Sequence, residues 1–253
     1  MALGPMTGLF LHDYYSYDIL FTVAMCCCLA GLFLAMAVKT PHKPLDKNKA
    51  PVSLDRFILL KGIPVGIDLL LLSIPYGITS SYVAVYAKDI GITVAPGLFF
   101  TFMAVGMAIT RLFAGRLVDR GKIVQVMTLG LVIVTLAYSA LCLCQPLIGI
   151  SVNLVNAMFY IAALMHGIGF GLLFPSFNTM FVNLGTNSQR GTATSTYLTS
   201  WDVGLGLGFM LGGYVGEIAS FSTAYFIGTL LCVVSFLIFR MKVVPHYQRN
   251  RLR

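Results

Sequence analysis

The chain has 253 residues, of which 58% are hydrophobic and 10% charged, and its formal net charge is +8. So few charges exclude a water-soluble domain, in which about a quarter of the residues are charged. On a soluble protein the +8 would point to nucleic acid or an anionic surface. In so apolar a chain the placement of the cations matters more than their sum, and lipid rather than nucleic acid is the expected surrounding.

In chain order, residues 1–12 form a short apolar stub ahead of Asp13. The stub has no basic start, so it reads as the last turns of a membrane helix rather than a signal peptide. An apolar window at 19–38 predicts the first complete crossing. The segment 39–57, KTPHKPLDKNKAPVSLDRF, is basic, contains proline and lacks an apolar period, so it is neither a crossing nor a packed domain. It is either a solvated cationic loop touching anionic lipid or a partner-binding segment. A block at 58–240 follows, with windows at 60–86, 94–113, 123–144, 152–184, 194–216 and 220–240, and a basic tail, 241–253, closes the chain.

Residues 123–189 contain no Asp, Glu, Lys or Arg. A bilayer about 30 Å thick is crossed by roughly 20 apolar residues, so this stretch holds two crossings and a turn. The crossings must be helical, because the alternation of a barrel strand is absent and each unpaired amide in lipid costs several kcal/mol. Pro64, Pro75 and Pro175 mark places where long helices can kink.

The connections alternate in charge. Lys39, Lys43, Lys47, Lys49, Arg56 and Lys61 fall in one, Arg111, Arg116, Arg120 and Lys122 in another, Arg190 in a third, and Arg240, Lys242, Arg249, Arg251 and Arg253 in the tail. Lys88 is the one exception among the 17 basic residues. The positive-inside rule makes this side, and with it the C-terminus, cytoplasmic, as in a multi-pass protein of a cell inner membrane.

The six cysteines lie in apolar runs without metal-ligand spacing and read as small buried hydrophobes. No metal or cofactor is expected. Ser/His/Asp order, zinc spacing, a Walker lysine and paired carboxylates are all missing, so the sequence offers no enzyme chemistry. Asp68 and Asp202 are the acids well inside crossings, where a carboxylate costs about 2.5 kcal/mol or more unless it faces the protein interior or a wet cavity. Both are candidates for carrying protons or binding substrate. His166, the intramembrane histidine, is a third candidate, with a hydrogen bond to a neighbouring helix as the plainer alternative. Tyr76, Phe174, Asn178, Tyr197 and Trp201 are candidate cavity residues, whose aromatic faces suit lipophilic cations, although plain packing serves them equally. Glycines crowd the late helices at 167, 169, 171, 204, 206, 208, 212, 213 and 216, which suits close helix approach.

At the third connection the chain reads Arg111-Leu-Phe-Ala-Gly115-Arg-Leu-Val-Asp119-Arg120-Gly121-Lys122. Gly115 is expected to let two helix ends approach. Asp119 is expected to begin the next helix, facing its positive dipole end and pairing with Arg111 or Arg120. Such a cluster can latch one conformation.

The string Gly115-x-x-x-Asp119-Arg120, followed by Gly121 and Lys122, resembles the cytoplasmic loop signature of the major facilitator superfamily of secondary transporters, with one residue fewer between Arg and Gly. Gly4-Pro5-x-x-Gly8 resembles the end of that superfamily's antiporter signature in helix 5. GIGFGLLFPSFNTMFVNL, Arg190-Gly191-x-Ala193 and Ser200-Trp201-Asp202-Val203-Gly204 are similar to helices 10 and 11 of bacterial drug and sugar exporters. The resemblance implies an all-α membrane protein comprising the end of helix 5, helix 6, and the C-terminal six-helix half built as two inverted three-helix repeats. It implies proton-coupled antiport of small molecules such as drugs or sugars, as in multidrug resistance, with Asp202 as the coupling residue and the proton gradient in place of a cofactor. It further implies that a missing N-terminal half, or a partner chain, is required for transport. A non-transporting receptor or assembly factor with the same crossings is the alternative.

Overall fold

In a chain this poor in charge, the backbone's polar groups find partners most readily within helices, and among the described residues the regular structure is entirely helical. The computed structural model describes residues 8, 15–38, 58–92 and 95–252, except for the side chains of Ala114 and Asp119. The 1–12 stub apart from Gly8, and the whole 39–57 linker, lie outside the described residues.

The chain divides into two units, Met1–Val52 and Ser53–Arg253. In the first, α1 (Tyr17–Ala37) starts after the extended Ser16 and buries none of its side chains. Cys26, Cys27 and Cys28 are therefore exposed on it, against the expectation of buried cysteines; Cys144 and Cys232 are buried as expected and Cys142 is half-buried. The reason is that no described residue of its own unit covers α1.

The second unit holds α2 (Ile63–Asp89), α3 (Leu98–Asp119), α4 (Ile123–Ile148), α5 (Val152–Leu184), α6 (Arg190–Ile218), α7 (Phe221–Ile238) and a short α8 (Val244–Asn250). Each of the seven expected windows contains a helix. Length and composition, however, qualify five helical segments of the described residues as spans: Tyr17–Ala37, Leu60–Asp89, Ile123–Ile148, Val152–Leu184 and Phe221–Asn250. The apolar part of α3, Leu98–Phe113, is shorter. Helix α6 has the length but is rich in Gly, Ser and Thr, residues suited to close packing and to water more than to lipid.

The most extensive pairings are α4 with α5, α2 with α6, and α3 with α5, while α7 packs across α2 and α4. The groups α2–α4 and α5–α7 are thus interlocked, each laying its middle helix on the first helix of the other. Small residues spaced by four set both crossings. A Cβ on Gly204 would strike Ser73, and one on Gly208 would stand 2.9 Å from Gly77 Cα and nearer still to the Ile74 carbonyl. Across the α3–α5 crossing, a Cβ on Gly106 would strike the Leu164 carbonyl and one on Gly171 the Thr110 hydroxyl. Residue numbers rise together in both pairs, so each crossing is parallel. The two crossings exchange under a swap of α2 with α5 and α6 with α3, the pattern of an inverted repeat. A further echo is local: the Thr79 hydroxyl donates to the Pro75 carbonyl at 3.1 Å and the Thr179 hydroxyl to the Pro175 carbonyl at 2.9 Å.

Helices α2 and α3 end alike. Gly91 and Gly121 take φ of +80° and +77°, the left-handed region where a Cβ is unfavourable. Ile92 N–H donates to the Ala87 carbonyl at 2.9 Å and Lys122 N–H to the Leu117 carbonyl at 3.2 Å, the paired closure of a Schellman turn.

The basic tail is folded. A π-helical turn, Phe239–Val243, joins α7 to α8 and points Phe239, Val243 and Tyr247 inward, all buried. His246 Nε2 meets the Lys61 carbonyl at 2.7 Å, which requires its N–H there. The Asn183 amide donates to the Tyr247 hydroxyl at 2.9 Å, and Leu252 N–H donates to the Asn183 carbonyl at 2.9 Å. Helix α8 therefore fastens the start of α2 to the end of α5.

Candidate functional site

Four residues of α5 recur at helical spacing: His166, Phe170, Phe174 and Asn178. Side chains four apart share a helix face, so this row forms one continuous edge. Its upper part lies in an aromatic cluster centred on Tyr76 of α2. The Tyr76 ring lies 5.6 Å from His166, 4.8 Å from Phe170, 6.0 Å from Phe174 and 4.9 Å from Trp201 of α6. Phe174 and Trp201 meet edge to face at 4.7 Å. Tyr138 of α4 closes on His166 from another side at 5.1 Å.

His166 is fully buried, and neither ring nitrogen has a hydrogen-bond partner among the described residues. The plainer expectation, a hydrogen bond to a neighbouring helix, is thus not met. The rings around the imidazole offer faces and edges but no acceptor in bonding position.

The lower part of the row opens into a cleft of about 520 Å³ lined by Arg111, Gly115, Phe174, Pro175, Asn178, Thr194 and Tyr197. Two of the expected latch residues and three of the expected cavity residues thus meet between α3, α5 and α6. Gly115 does not serve helix approach as expected: a Cβ there would meet nothing within 4 Å, because its face borders the cleft. Asp119 is the last residue of α3 and does not begin α4, whose preceding cap is Lys122. The expected dipole contact is therefore lost, since a helix C-terminus carries the opposite end of the dipole. The pairing of Asp119 with Arg111 or Arg120 lies outside the described residues. Arg120 itself is exposed at the end of α3.

The two intramembrane acids lie apart and in opposite surroundings. Asp68 is fully buried, and its Oδ1 accepts from the Ser235 hydroxyl of α7 at 2.6 Å while Oδ2 has no partner among the described residues. Asp202 is exposed on α6, one residue from the buried Trp201 and within electrostatic reach of Tyr197. Ser195 and Thr199, a turn or two earlier, are exposed as well, so this edge of α6 is a polar strip. The outward residues of α4 and α7, among them Leu129, Leu136, Leu143, Val233 and Leu237, are apolar as a lipid face requires.

Phe170, Tyr138, Thr194 and Ser235 escaped the reading of the sequence, and Pro175 was marked there only as a place for a kink. Phe170 had a signal, its spacing of four from both His166 and Phe174. Ser235 had none, because its partner Asp68 is brought to it only by tertiary packing. Among the described residues no group of His, Cys, Asp and Glu could hold a metal ion.

A sequence model of the Major Facilitator Superfamily matches residues 1–152 and again 69–252. This chain belongs to the Major Facilitator Superfamily. The uncharacterized MFS-type transporter YhhS of Escherichia coli K12 is 23% identical to it over 246 residues, covering 97% of this chain and 57% of the relative. The YhhS proteins of Shigella flexneri and Escherichia coli O157:H7 are similar to the same extent. The chain thus spans little more than half the length of the curated relatives it matches. With superfamily membership and its apolar helices, it is a multi-pass, all-α membrane protein of a transporter superfamily.

Proposed function

We propose that this chain forms one side, the C-terminal six-helix half with the preceding helix, of a proton-coupled secondary transporter that exports small molecules from the cytoplasm by alternating access. The carrying observation is Asp202, a carboxylate exposed on α6 within electrostatic reach of Tyr197, which lines the open cleft. A carboxylate facing hydrocarbon costs about 2.5–3.5 kcal/mol, a cost removed when its face borders water between two halves. The glycine-lined parallel crossings give this side a rigid frame that moves as a block against an opposing set of helices. The basic connections and α8 face the cytoplasm, and the membrane is a cell inner membrane. Asp202 couples protons to substrate, and the opposing half is required for transport.

The test uses this chain assembled with the opposing set of helices in liposomes carrying a trapped pH-sensitive dye, with glucose, ethidium and benzenesulfonate as substrates from three chemical classes. At least one is expected to drive proton movement, and Asp202→Asn to abolish it while helicity is retained. Proton movement undiminished in Asp202→Asn would remove Asp202 from this role. Silence with all three substrates counts against a proton-coupled exporter.

A further inference from the structure

We infer that the cleft between α3, α5 and α6 binds an organic anion, its sulfonate, carboxylate or phosphate head on Arg111 and its apolar body against Phe174 and Tyr197. The inference rests on the reading above that this is the wet, substrate-facing side, and it narrows the substrate to one charge class. Among the described side chains of the lining, Arg111 alone is charged; Asn178, Thr194 and Tyr197 are polar, and Phe174 and Pro175 supply the apolar wall. The volume, about 520 Å³, lies within the range of small-molecule sites.

An arginine keeps its charge at any working pH and offers a planar fork of donors that fits a tetrahedral or planar oxyanion with two parallel bonds. A cation in the same cleft would have to sit against that guanidinium. Asp202, the nearby acid on α6, lies outside the lining. The described charged side chains next to Arg111 in sequence are basic. Arg116, Arg120 and Lys122 stand exposed just beyond Arg111 in sequence, and Arg190 starts the helix that carries Thr194 and Tyr197. Clustered basic residues raise the local concentration of anions. These observations run against the lipophilic cation that the aromatic residues alone suggest, because two of those four rings, Tyr76 and Trp201, pack against each other outside the lining and only Phe174 and Tyr197 line it.

The chain carries its own reporter. Trp201 is its single tryptophan, and its ring lies 4.7 Å from Phe174 on the cleft wall. The experiment follows the Trp201 emission of the 253-residue chain in phosphatidylcholine liposomes. The probes are benzenesulfonate, its neutral counterpart benzenesulfonamide, and benzyltrimethylammonium. Benzenesulfonate is expected to shift the emission saturably and the other two to bind on the order of tenfold or more weakly. Arg111→Gln is expected to weaken benzenesulfonate on the order of 10- to 100-fold, the equivalent of one charge-assisted hydrogen bond, with Arg111→Lys in between. Thr194→Asp, which leaves Arg111 in place and adds an opposing charge, is expected to weaken it as well and covers the case in which Arg111→Gln does not fold.

Benzyltrimethylammonium binding as well as benzenesulfonate overturns the inference, as does full binding by Arg111→Gln or no saturable response. Loss of binding when phosphatidylglycerol replaces part of the phosphatidylcholine assigns the site to a lipid headgroup and overturns the soluble-ligand form. An absent emission response alongside Asp202-dependent proton movement with glucose or ethidium sinks this inference and leaves the transport reading standing. Saturable binding with no transported substrate does the reverse.

Discussion

Gly206 and Gly208 lie two residues apart on α6, yet they face different surroundings, and replacing each by alanine separates packing from helix propensity. A Cβ on Gly206 meets nothing within 4 Å, whereas one on Gly208 comes within 2.9 Å of Gly77 Cα and closer to the Ile74 carbonyl. Both of those neighbours are backbone and cannot swing away, so α2 and α6 must separate to admit the methyl group. Alanine gains about 1 kcal/mol over glycine in a helix interior, a term common to both variants. It cancels in their difference, which leaves the overpacking cost of about 1–3 kcal/mol. Gly206→Ala is therefore expected to be neutral or slightly stabilising, and Gly208→Ala to be less stable than it by about 1–3 kcal/mol. Unfolding by rising SDS in mixed micelles, followed by circular dichroism, reads the difference directly. Equal stabilities would refute the claim that this crossing is set by the absence of a side chain at residue 208.

Ser235→Ala leaves the buried Asp68 without its hydrogen bond and is expected to cost about 1–3 kcal/mol in the same unfolding assay, whereas the double change Asp68→Leu, Ser235→Ala is expected to cost less than Ser235→Ala alone. Gly121→Ala forces a Cβ into a φ of +77° and is expected to cost about 1–2 kcal/mol, with Gly121→Asn milder; a match between Gly121→Ala and the wild type would argue against the Schellman turn. Tyr247→Phe removes the acceptor of the Asn183 amide and is expected to cost about 0.5–1.5 kcal/mol and to speed trypsin cleavage at Arg249.

Helices were easy to read from this sequence because a bilayer imposes length and apolarity on each one, and those constraints are local. The least apolar of the long helices, α6, shows where that reading weakens. Its glycines look alike in the sequence, but the structure assigns 204, 208 and 212 to the contact with α2 and leaves 206 open. Only the position of a second helix decides that. The cleft was legible in part. Phe174, Asn178 and Tyr197 were recognisable as aromatic or polar residues in glycine-rich crossings, and Arg111 as part of a charged motif, but the motif and the cavity looked like separate features until α3 was laid against α5. Asp119 was misread because a helix end and the following helix start lie only a turn apart, and the left-handed Gly121 fixes where one stops. Residues Phe239–Val243 were equally hidden, since nothing in their composition marks a wider helical turn.

That wider turn has a mechanical outcome. By swinging α8 beneath the bundle, it lashes the opening of α2 to the close of α5, so the leading helices of both interlocked groups are tied at one end by a strut built from the last residues of the chain. A tilt of either helix at that end must break the hydrogen bonds of this strut or carry the other helix with it.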